Sequence, residues 1–370
     1  MFTKTYQLTE KSNTSDLVLV RSFNMHEYEI NDNLLAVARA GAGVNNIPLE
    51  KMADEGVVVF NTPGANANGV KELVIAGMLL ASRDIYGGIS WVKNNKSDEN
   101  ILKSIEKAKK AFAGSEIMGK TLVVIGLGAI GGKVANAADA LGMKVYGYDP
   151  YISEHALKAL NPTIEIENDL NKLYEVADFI SLHLPLLDST KHMFNKDVFK
   201  KVKDGVVILN YARDQLVKNE DIKEALENKK VSKYVTDFPN HYVANLENVI
   251  ALPHLGASTH ESEENCAIMA AKQLMQYVEN GDIINSVNYP NVTLGNPNGV
   301  SRIIILAKDN DDLTMNIDHA LKSVEKVIVT SVSKSRKGYS VFAYDLKVDV
   351  SQELIKTLSE IPGVTKVRKI

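Results

Sequence analysis

The sequence predicts an α/β protein built mainly around a doubly wound parallel sheet, and three observations lead to this class. Residues 119–150 follow the order strand, glycine turn, helix and second strand. Further short apolar runs follow this unit and leave room for a helix or loop between them, as in a continued parallel sheet. Residues 300–370 have a β-α-β-β-α-β order of their own. Because 370 residues exceed what one hydrophobic core usually spans, two or three domains are expected.

The glycine turn has the spacing that a dinucleotide pyrophosphate requires. The apolar run before it suits a buried parallel strand, and Gly126 lets the chain turn tightly at its end. Gly128 has no side chain, so a phosphate can approach the positive N-terminus of the helix. Gly131 lets that helix pack closely on the strand. The predicted pyrophosphate site consists of Gly126, Gly128, Ala129, Ile130 and Gly131.

An acidic residue closes the same unit. Asp149 follows the second strand, roughly twenty residues beyond the glycines, where a carboxylate accepts hydrogen bonds from the adenosine ribose. It would also repel a 2′-phosphate, and no arginine follows it closely. The pattern therefore predicts NAD rather than NADP, with a glycine-rich turn that binds no ligand as the alternative.

Composition and charge argue against several classes of protein. Hydrophobic residues make up 45% of the chain and charged residues 24%, as in an ordinary globular protein. The net charge of −4 gives no signal for nucleic-acid binding. Apolar runs such as residues 303–306 are too short to cross a bilayer, so no membrane partner is expected.

Cysteine usage and the amino terminus indicate the compartment. Cys266 is the only cysteine, which excludes an intrachain disulfide and a cysteine-rich zinc site and suits a reducing environment. No metal site is predicted. Residues 1–13 contain no apolar core of signal-peptide length, so a cytoplasmic protein is expected.

Short apolar runs place the other elements of the sheet-forming part. Runs before the glycine turn predict strands of a small α/β unit at residues 17–20, 34–40 and 57–60. Helical apolar spacing predicts a helix at residues 70–82, and a polar stretch follows at residues 93–110. After Asp149, strands are predicted at residues 179–184, 206–210, 234–237 and 249–252.

The carboxyl-terminal part is predicted to be a separate unit. Residues 288–299 are rich in Asn, Pro and Gly and predict a linker into it. Strands are then predicted at residues 302–307, 327–334 and 339–348 and at the end of the chain. Helices are predicted at residues 313–324 and 351–358.

Residues beyond the carboxyl ends of the predicted strands are the candidates for chemistry, because ligands of doubly wound sheets bind there. They are Pro185, Arg213, Asp237 and His254. Hydride transfer between a hydroxy acid and nicotinamide needs a cation for the carboxylate and a group that exchanges the hydroxyl proton. Arg213 offers a two-pronged donor and His254 a proton acceptor. A surface salt bridge for Arg213 and a structural role for His254 are the alternatives.

The order of these motifs resembles that of the D-isomer-specific 2-hydroxyacid dehydrogenases. After the glycine fingerprint and Asp149 the chain contains the segments HLPLLDSTKHMFN, NYARDQLV, TDFP and PHLGAST. The earlier segments VRS, ARAGAGVNNI and FNTPGANANGVKELVIAGMLL are similar to family members that act on 3-phosphoglycerate. The tail resembles an ACT domain. The resemblance implies NAD-dependent oxidation of this phosphorylated hydroxy acid in serine biosynthesis.

The resemblance also implies a domain organisation and an assembly. A Rossmann cofactor domain, residues 89–269, would be inserted in a smaller flavodoxin-like substrate domain formed by residues 1–88 and 270–292. Residues 300–370 would form the ACT-like domain, with a regulatory or assembly role. Family members usually pair through their cofactor domains, so a homodimer or higher homo-oligomer is expected.

The family resemblance also implies roles for individual residues of this chain. Arg213 would bind the substrate carboxylate and hydroxyl oxygen, and His254 would take the hydroxyl proton. Asp237 would orient the nicotinamide, and Pro185 and Gly256 complete the predicted cofactor site. Other substrate contacts are expected from the backbone of Ala42, Gly43 and Val44 and from Arg21, Ser22 and Asn66, with Arg21 and Ser22 at the phosphate.

The chain departs from the family pattern in two places. The family glutamate that hydrogen-bonds the catalytic histidine is absent from Asp237-Phe238-Pro239-Asn240-His241, and Glu247 is the nearest candidate to replace it. In the tail, Asp309-Asn310-Asp311-Asp312 stands where serine-binding ACT domains have an Asn-x-Pro-Gly-like turn. Feedback by serine is therefore in doubt, and an assembly role for the tail is at least as well supported.

Two alternative functions stay open. The first is another D-2-hydroxyacid dehydrogenase, such as a hydroxypyruvate, glyoxylate or D-lactate reductase, against which Arg21 and the ACT-like tail argue. The second is a non-catalytic NAD-responsive binding protein, for which the missing glutamate would be an early sign. The presence of Arg213 and His254 argues against that second function.

Overall fold

The computed structural model describes residues 6–10 and 14–370, and the chain forms two compact units. The first unit comprises Met1–Ala65 and Glu263–Ile370, and the second comprises Asn66–Ser262. The segment in which no signal peptide is expected, residues 1–13, lies partly outside the described residues. The domain boundaries given above stay predictions.

The described residues form fourteen strands. In chain order they are β1 (Leu17–Val20), β2 (Ala36–Arg39), β3 (Val58–Phe60), β4 (Thr121–Ile125), β5 (Lys144–Tyr148), β6 (Glu165–Ile166), β7 (Phe179–Leu182), β8 (Val206–Asn210), β9 (Val231–Thr236), β10 (Val249–Ala251), β11 (Ser301–Lys308), β12 (Ile328–Arg336), β13 (Tyr339–Leu346) and β14 (Val364–Lys369).

The described residues also form thirteen α-helices and three short 3-10 helices. The α-helices are α1 (Leu49–Asp54), α2 (Ala67–Ser82), α3 (Ile85–Asn94), α4 (Ile101–Ala108), α5 (Gly131–Ala140), α6 (Glu154–Lys158), α7 (Leu170–Val176), α8 (Lys196–Lys201), α9 (Asn219–Glu227), α10 (His241–Ala244), α11 (His260–Asn280), α12 (Leu313–Leu321) and α13 (Gln352–Ser359). The 3-10 helices are Lys109–Phe112, Asp214–Leu216 and Glu325–Val327.

The second unit contains a seven-stranded parallel sheet in the order β10-β9-β8-β7-β4-β5-β6. The strand order reverses next to β4, the strand that precedes the glycine turn, as in a Rossmann-type doubly wound fold. Strands β4, β7 and β8 are apolar and almost wholly buried, because helices cover both faces of the sheet. The α/β fold class predicted from the sequence is confirmed.

The first unit contains two sheets that share one hydrophobic core. Strands β1, β2 and β3 form a parallel sheet, and β12, β13, β11 and β14 form an antiparallel sheet. Residues of both sheets lie in the same buried cluster, including Phe60 from β3, Ile304 from β11 and Val341 from β13. The predicted β-α-β-β-α-β order of the tail is confirmed, and the tail packs on the first sheet.

Gly56 shows how closely the tail approaches. Its φ is +69°, a conformation that favours glycine, and a Cβ atom placed there would lie 2.6 Å from Lys366 Cβ. The hydroxyl of Tyr289 donates to Ala53 O at 2.6 Å and lies 3.0 Å from Thr365 Oγ1. Side chains and backbone of the tail therefore contact the α1–β3 connection directly.

The predicted linker at residues 288–299 is wrong in its first part. Tyr289 and Val292 are buried, and Val292 pairs with Ile283 in an isolated bridge. Both apolar side chains belong to the core of the first unit. Helix α4 lies within residues 93–110, which were predicted only as a polar stretch, and α3 precedes it; neither helix contains a buried residue.

Among the residues that the structure describes, no single helix is long and apolar enough to span a membrane. The test is met only by α2 and α3 taken together, two helices bent by 71° relative to each other.

Candidate functional site

The glycine turn of the second unit has the conformation that dinucleotide binding requires. Gly126 has a φ of +92°, and a Cβ atom there would lie 2.5 Å from His183 O. A Cβ atom on Gly131 would lie 1.8 Å from Gly126 O, so only glycine lets α5 begin here. Gly128 is exposed with open space beside it, and Ala129 is exposed next to it. The turn can therefore receive a phosphate at the N-terminus of α5.

Asp149 ties the end of β5 to this turn. One carboxylate oxygen accepts the Leu127 N–H at 2.9 Å, and the other accepts the Tyr151 N–H at 2.9 Å. The side chain remains partly exposed, and a carboxylate oxygen can accept more than one hydrogen bond. These residues fit a dinucleotide, with the carboxylate fixed where a ribose hydroxyl could donate to it.

Asp237 is buried beyond the end of β9 and has an unused acceptor. Its side chain is 1% exposed; Oδ2 accepts the Gly256 N–H at 3.3 Å, while Oδ1 has no partner within the described residues. Burial raises the pKa of Asp237, although the charges of His254 and Arg213 and the Gly256 N–H act in the opposite direction. A buried acceptor without a donor is costly, so this atom fits a ligand amide group.

Arg213 and His254 meet on one aromatic ring. The Arg213 Cζ atom lies over the ring of Phe238, 5.8 Å from its centroid. The imidazole of His254 lies 4.4 Å from the same centroid, with 44° between the ring planes. Both polar side chains are exposed, Arg213 after β8 and His254 after β10. The structure thus brings together the two residues predicted to carry the chemistry.

No carboxylate hydrogen-bonds His254 within the described part of the chain. The backbone N–H of His254 donates to Asp237 O at 3.0 Å, and its φ of +38° is unusual for a residue other than glycine. The prediction that Glu247 replaces the family glutamate as the hydrogen-bond acceptor of His254 is wrong. Glu247 precedes β10 and His254 follows it, so the strand separates the two side chains.

A second polar cluster lies in the first unit, after β1 and β2. Arg39 Nε donates to Arg21 O at 3.1 Å, and burial followed by the charge of Arg21 lowers the pKa of Arg39. The Arg39 guanidinium lies against Gly41, at which a Cβ atom would be 2.5 Å from Nη1. Arg39 was not among the predicted site residues, although it stands in the motif ARAGAG, where an arginine at a strand end is the available signal.

The loop after β2 offers unused backbone donors. Within the described residues, the N–H groups of Ala42, Gly43 and Val44 donate to no acceptor, while Ala42 O accepts Asn61 Nδ2 at 2.7 Å. Thr62 N–H donates to Gly41 O at 3.1 Å and holds the other side of the loop. Successive free N–H groups suit an anion.

Ser22, Asn66 and Pro185 are the remaining residues that were predicted for the substrate and cofactor sites. Ser22 is exposed in the first unit beside Arg21. In the second unit Asn66 directly precedes α2 without capping it through its side chain, and Pro185 O accepts Thr190 Oγ1 at 2.6 Å. The described residues contain no group of three or more His, Cys, Asp or Glu residues that could hold a metal ion.

His183 was also not predicted as a site residue. Burial lowers its pKa to about 4, and Nε2 lies 2.8 Å from Ser181 Oγ. The backbone N–H of His183 donates to Ile125 O at 2.8 Å, and its backbone carbonyl lies against Gly126. The imidazole is therefore neutral near pH 7, and it is the backbone of His183 that packs against the glycine turn.

Comparisons with known proteins agree with this geometry. Residues 75–256 match a family model described as "D-isomer specific 2-hydroxyacid dehydrogenase, NAD binding domain". A solved structure of NAD⁺-bound 3-phosphoglycerate dehydrogenase from Entamoeba histolytica is 29% identical with a TM-score of 0.57, and covers 78% of this chain and 88% of that one. NAD is therefore the cofactor of the second unit.

Two curated relatives extend the likeness beyond the cofactor unit. A D-3-phosphoglycerate dehydrogenase of Methanocaldococcus jannaschii is 32% identical over 340 residues, which cover 89% of this chain and 63% of that protein. A hydroxypyruvate reductase of Thermotoga maritima is 37% identical over 273 residues, which cover 70% of this chain and 84% of that protein. This chain spans about half the length of several other relatives named D-3-phosphoglycerate dehydrogenase. The chain belongs to the D-isomer-specific 2-hydroxyacid dehydrogenase family.

Proposed function

We propose that the protein acts as an NAD-dependent D-3-phosphoglycerate dehydrogenase, which oxidises 3-phosphoglycerate to 3-phosphohydroxypyruvate in the first step of phosphorylated L-serine biosynthesis. The observation that carries the proposal is the pair Arg21 and Arg39. Two neighbouring guanidinium groups suit a doubly charged phosphate, which a non-phosphorylated hydroxy acid lacks. The relative from Methanocaldococcus jannaschii, which has this name, supports the same substrate.

In the second unit, Arg213 and His254 are proposed as the catalytic residues. The guanidinium presents parallel N–H donors to the substrate carboxylate and hydroxyl oxygen, while the imidazole accepts the hydroxyl proton. When bound, NAD would supply the acceptor for the hydride that leaves the carbon carrying this hydroxyl group. Asp237 Oδ1, which has no donor among the described residues, accepts the nicotinamide amide and so orients the ring. Asp149 and the glycine turn hold the adenosine end.

In the first unit, we assign the phosphate to Arg21, Arg39 and Ser22. The free N–H groups of Ala42, Gly43 and Val44 are assigned to the carboxylate, because they form a local concentration of positive dipole ends. Asn66, which belongs to the second unit, is also proposed as a substrate contact because of the family resemblance. The roles of the first-unit residues rest on their chemistry.

An NADH absorbance assay tests the proposal. The full-length protein is incubated with NAD and, separately, 3-phosphoglycerate, D-glycerate and D-lactate, and we expect efficient turnover only with 3-phosphoglycerate. Arg213→Lys should lower kcat by about 100-fold, since a point charge cannot reproduce the two-pronged contact, while Arg83→Lys serves as the control. Tight NAD binding without turnover of any acid would instead favour the NAD-responsive binding protein.

Hydroxypyruvate reductase is the second candidate. The relative from Thermotoga maritima with this name is 37% identical, and the chain covers most of its length. The same assay run in reverse, with NADH and either hydroxypyruvate or 3-phosphohydroxypyruvate, separates the two functions. A higher kcat/KM for the unphosphorylated acid would assign the protein to this second activity.

A homodimer or higher homo-oligomer is proposed as the working form. Helices α3 and α4 contain no buried residue, and they carry large apolar side chains that are exposed: Tyr86 is 75% exposed, Ile89 49% and Leu102 81%. Exposed apolar side chains on these two helices of the cofactor unit suit contact with a second copy. Sedimentation of the wild type and of a Tyr86→Lys, Leu102→Lys double variant measures this, and a monomeric wild type would exclude it.

For the tail we propose an assembly role within the first unit rather than serine sensing. Its strands share a core with β1–β3, and Gly56 lies against β14. If the tail does not sense serine, the initial rate of the dehydrogenase should be unchanged at millimolar L-serine.

The single, buried cysteine fits a reducing compartment, so we propose the cytoplasm as the location.

A further inference from the structure

We propose that Phe238 is the positioning residue that holds Arg213 and His254 in their reactive arrangement, in place of the absent carboxylate; this inference rests on the proposed function. Both side chains lie against its ring. Its distance to the His254 ring, 4.4 Å between centroids, is direct packing contact.

The position of Phe238 is itself fixed. Its N–H donates to Thr236 Oγ1 at 3.1 Å, and the preceding residue, Asp237, is buried and accepts the His254 N–H through its backbone carbonyl. Pro239 follows and restricts the backbone. Asn240 then caps α10 by accepting the Val243 N–H at 2.9 Å. The ring therefore projects from a segment that is held on both sides.

His254 needs such a support. Neither ring nitrogen has a hydrogen-bond partner among the described residues, and the side chain is exposed. The contact with Phe238 restricts rotation of the imidazole, and it leaves both ring nitrogens available to a substrate hydroxyl.

The electrostatics of the ring suit both neighbours. An aromatic face attracts a cation that lies over it, and arginine is the most frequent partner. The Arg213 guanidinium is permanently charged, and His254 becomes charged once it has accepted the substrate proton. A leucine at position 238 would fill part of the volume without this attraction, whereas tyrosine or tryptophan would keep it.

Steady-state kinetics of the full-length protein form the first test. Phe238→Leu should lower kcat with 3-phosphoglycerate by about tenfold or more, while the dissociation constant of NAD, measured by fluorescence, stays within about twofold. Phe238→Trp should restore kcat to within a few-fold of the wild type. Tyr242→Leu, at an exposed aromatic residue four positions along, is the control and should leave kcat and Tm unchanged.

A second measurement needs no turnover and so separates this inference from the proposed function. In protein labelled with ¹³C-histidine, the His254 Cε1–H signal, assigned with His254→Gln, should show a ring-current shift that Phe238→Leu removes and Phe238→Trp keeps. The inference is overturned if this signal is unmoved in Phe238→Leu. It is equally overturned if an active wild type and Phe238→Leu have the same kcat, or if Phe238→Trp is as impaired as Phe238→Leu.

Discussion

Arg21 and Glu263 form an ion pair within the first unit, with 2.8 Å between Nη1 and Oε1. Both side chains are about half exposed, so the pair contributes little to folding stability. Its position matters more than its strength. The carboxylate pairs with one of the two guanidinium groups to which the phosphate is assigned, so in the proposed complex it would compete with the phosphate for the same donors.

Replacing this carboxylate should strengthen substrate binding. Glu263→Gln removes a negative charge beside Arg21, so we expect the KM for 3-phosphoglycerate to fall roughly threefold to tenfold. The KM for NAD and the Tm should not change. Glu264→Gln, the neighbouring exposed glutamate, is the control. An increase in the substrate KM would show instead that Glu263 orients Arg21 for the phosphate.

Asp149 is expected to control both the affinity for NAD and the discrimination against NADP. Asp149→Ala removes the acceptor of two backbone N–H groups and the proposed ribose contact, so the KM for NAD should rise by roughly tenfold to 100-fold. At saturating NAD, kcat should stay within about twofold. The ratio of kcat/KM for NADP to that for NAD should rise, because repulsion of the 2′-phosphate is lost. Asp204→Ala, at a distant exposed carboxylate, should change none of these values.

Asp237 should destabilise the protein when NAD is absent. Burial raises the pKa of its carboxyl group, which therefore holds a proton more tightly in the folded state than in the unfolded state. Below the unfolded pKa the carboxyl group is neutral in both states and costs no stability. As the pH rises through the folded pKa, ionisation of the buried group lowers the stability of the fold. Asp237→Asn should thus raise the Tm of NAD-free protein by a few degrees at pH 7.5, and less at pH 4.5.

The same variant should lose part of its response to the cofactor. Because the Oδ1 atom is proposed to accept the nicotinamide amide, saturating NAD should raise the Tm of Asp237→Asn by less than half the wild-type increase. Differential scanning fluorimetry at both pH values measures the two effects, with Asp204→Asn as the control. A lower Tm of the NAD-free variant at pH 7.5 would contradict the burial argument.

The ion pair of Arg302 and Asp345 should be essential to the first unit. Both side chains are 1% exposed, Nε and Nη2 donate to the carboxylate at 2.6 and 2.8 Å, and Nη1 donates to Asn280 O and Gly295 O. Arg302→Met leaves a buried charge uncompensated, so we expect a loss of about 3–5 kcal/mol in the free energy of unfolding by urea. Lys308→Met, which breaks an exposed pair with Asp54, should cost less than about 1 kcal/mol.

Acid unfolding gives this pair a second signature. Burial alone would raise the pKa of Asp345, but the hydrogen bonds from Arg302 and from the Asn298 N–H outweigh it, and the pKa is lowered. A lowered carboxyl pKa stabilises the fold above the unfolded pKa, and this stabilisation is lost as the pH falls through the folded pKa. In Arg302→Met burial is no longer outweighed by Arg302, so protonation of Asp345 relieves the cost of the unpaired charge. The difference in the free energy of unfolding between the wild type and Arg302→Met should therefore shrink as the pH falls.

Local sequence was sufficient to predict the cofactor unit and the order of the tail. The spacing of Gly126, Gly128 and Gly131 predicts the turn from a few neighbouring residues, and the strands around it are continuous apolar runs. Strand ends moved by one to three residues, as in β9, which begins at Val231 rather than at residue 234. Boundaries depend on hydrogen bonds to neighbouring strands, which one sequence does not contain.

The contacts that complete each site could not be predicted in the same way. Arg39 and Arg21 come from different strands, and Glu263 pairs with Arg21 from a helix more than two hundred residues away. Phe238 has no polar group, so its residue type does not mark it as part of a reactive site. Glu247 was favoured because it is close in sequence to His254, but an intervening strand makes such closeness misleading.

The division of the chain has a consequence for synthesis. Residues 1–65 complete their core only with Glu263–Ile370, whereas Asn66–Ser262 are contiguous. A ribosome therefore releases every residue of the second unit before the first unit has all its strands. Until then the apolar side chains of β2 and β3 lack Ile304 and Val341, their partners in the finished core. We expect the nascent amino-terminal segment to depend on chaperones, and a nonsense mutation after residue 300 to yield an insoluble product.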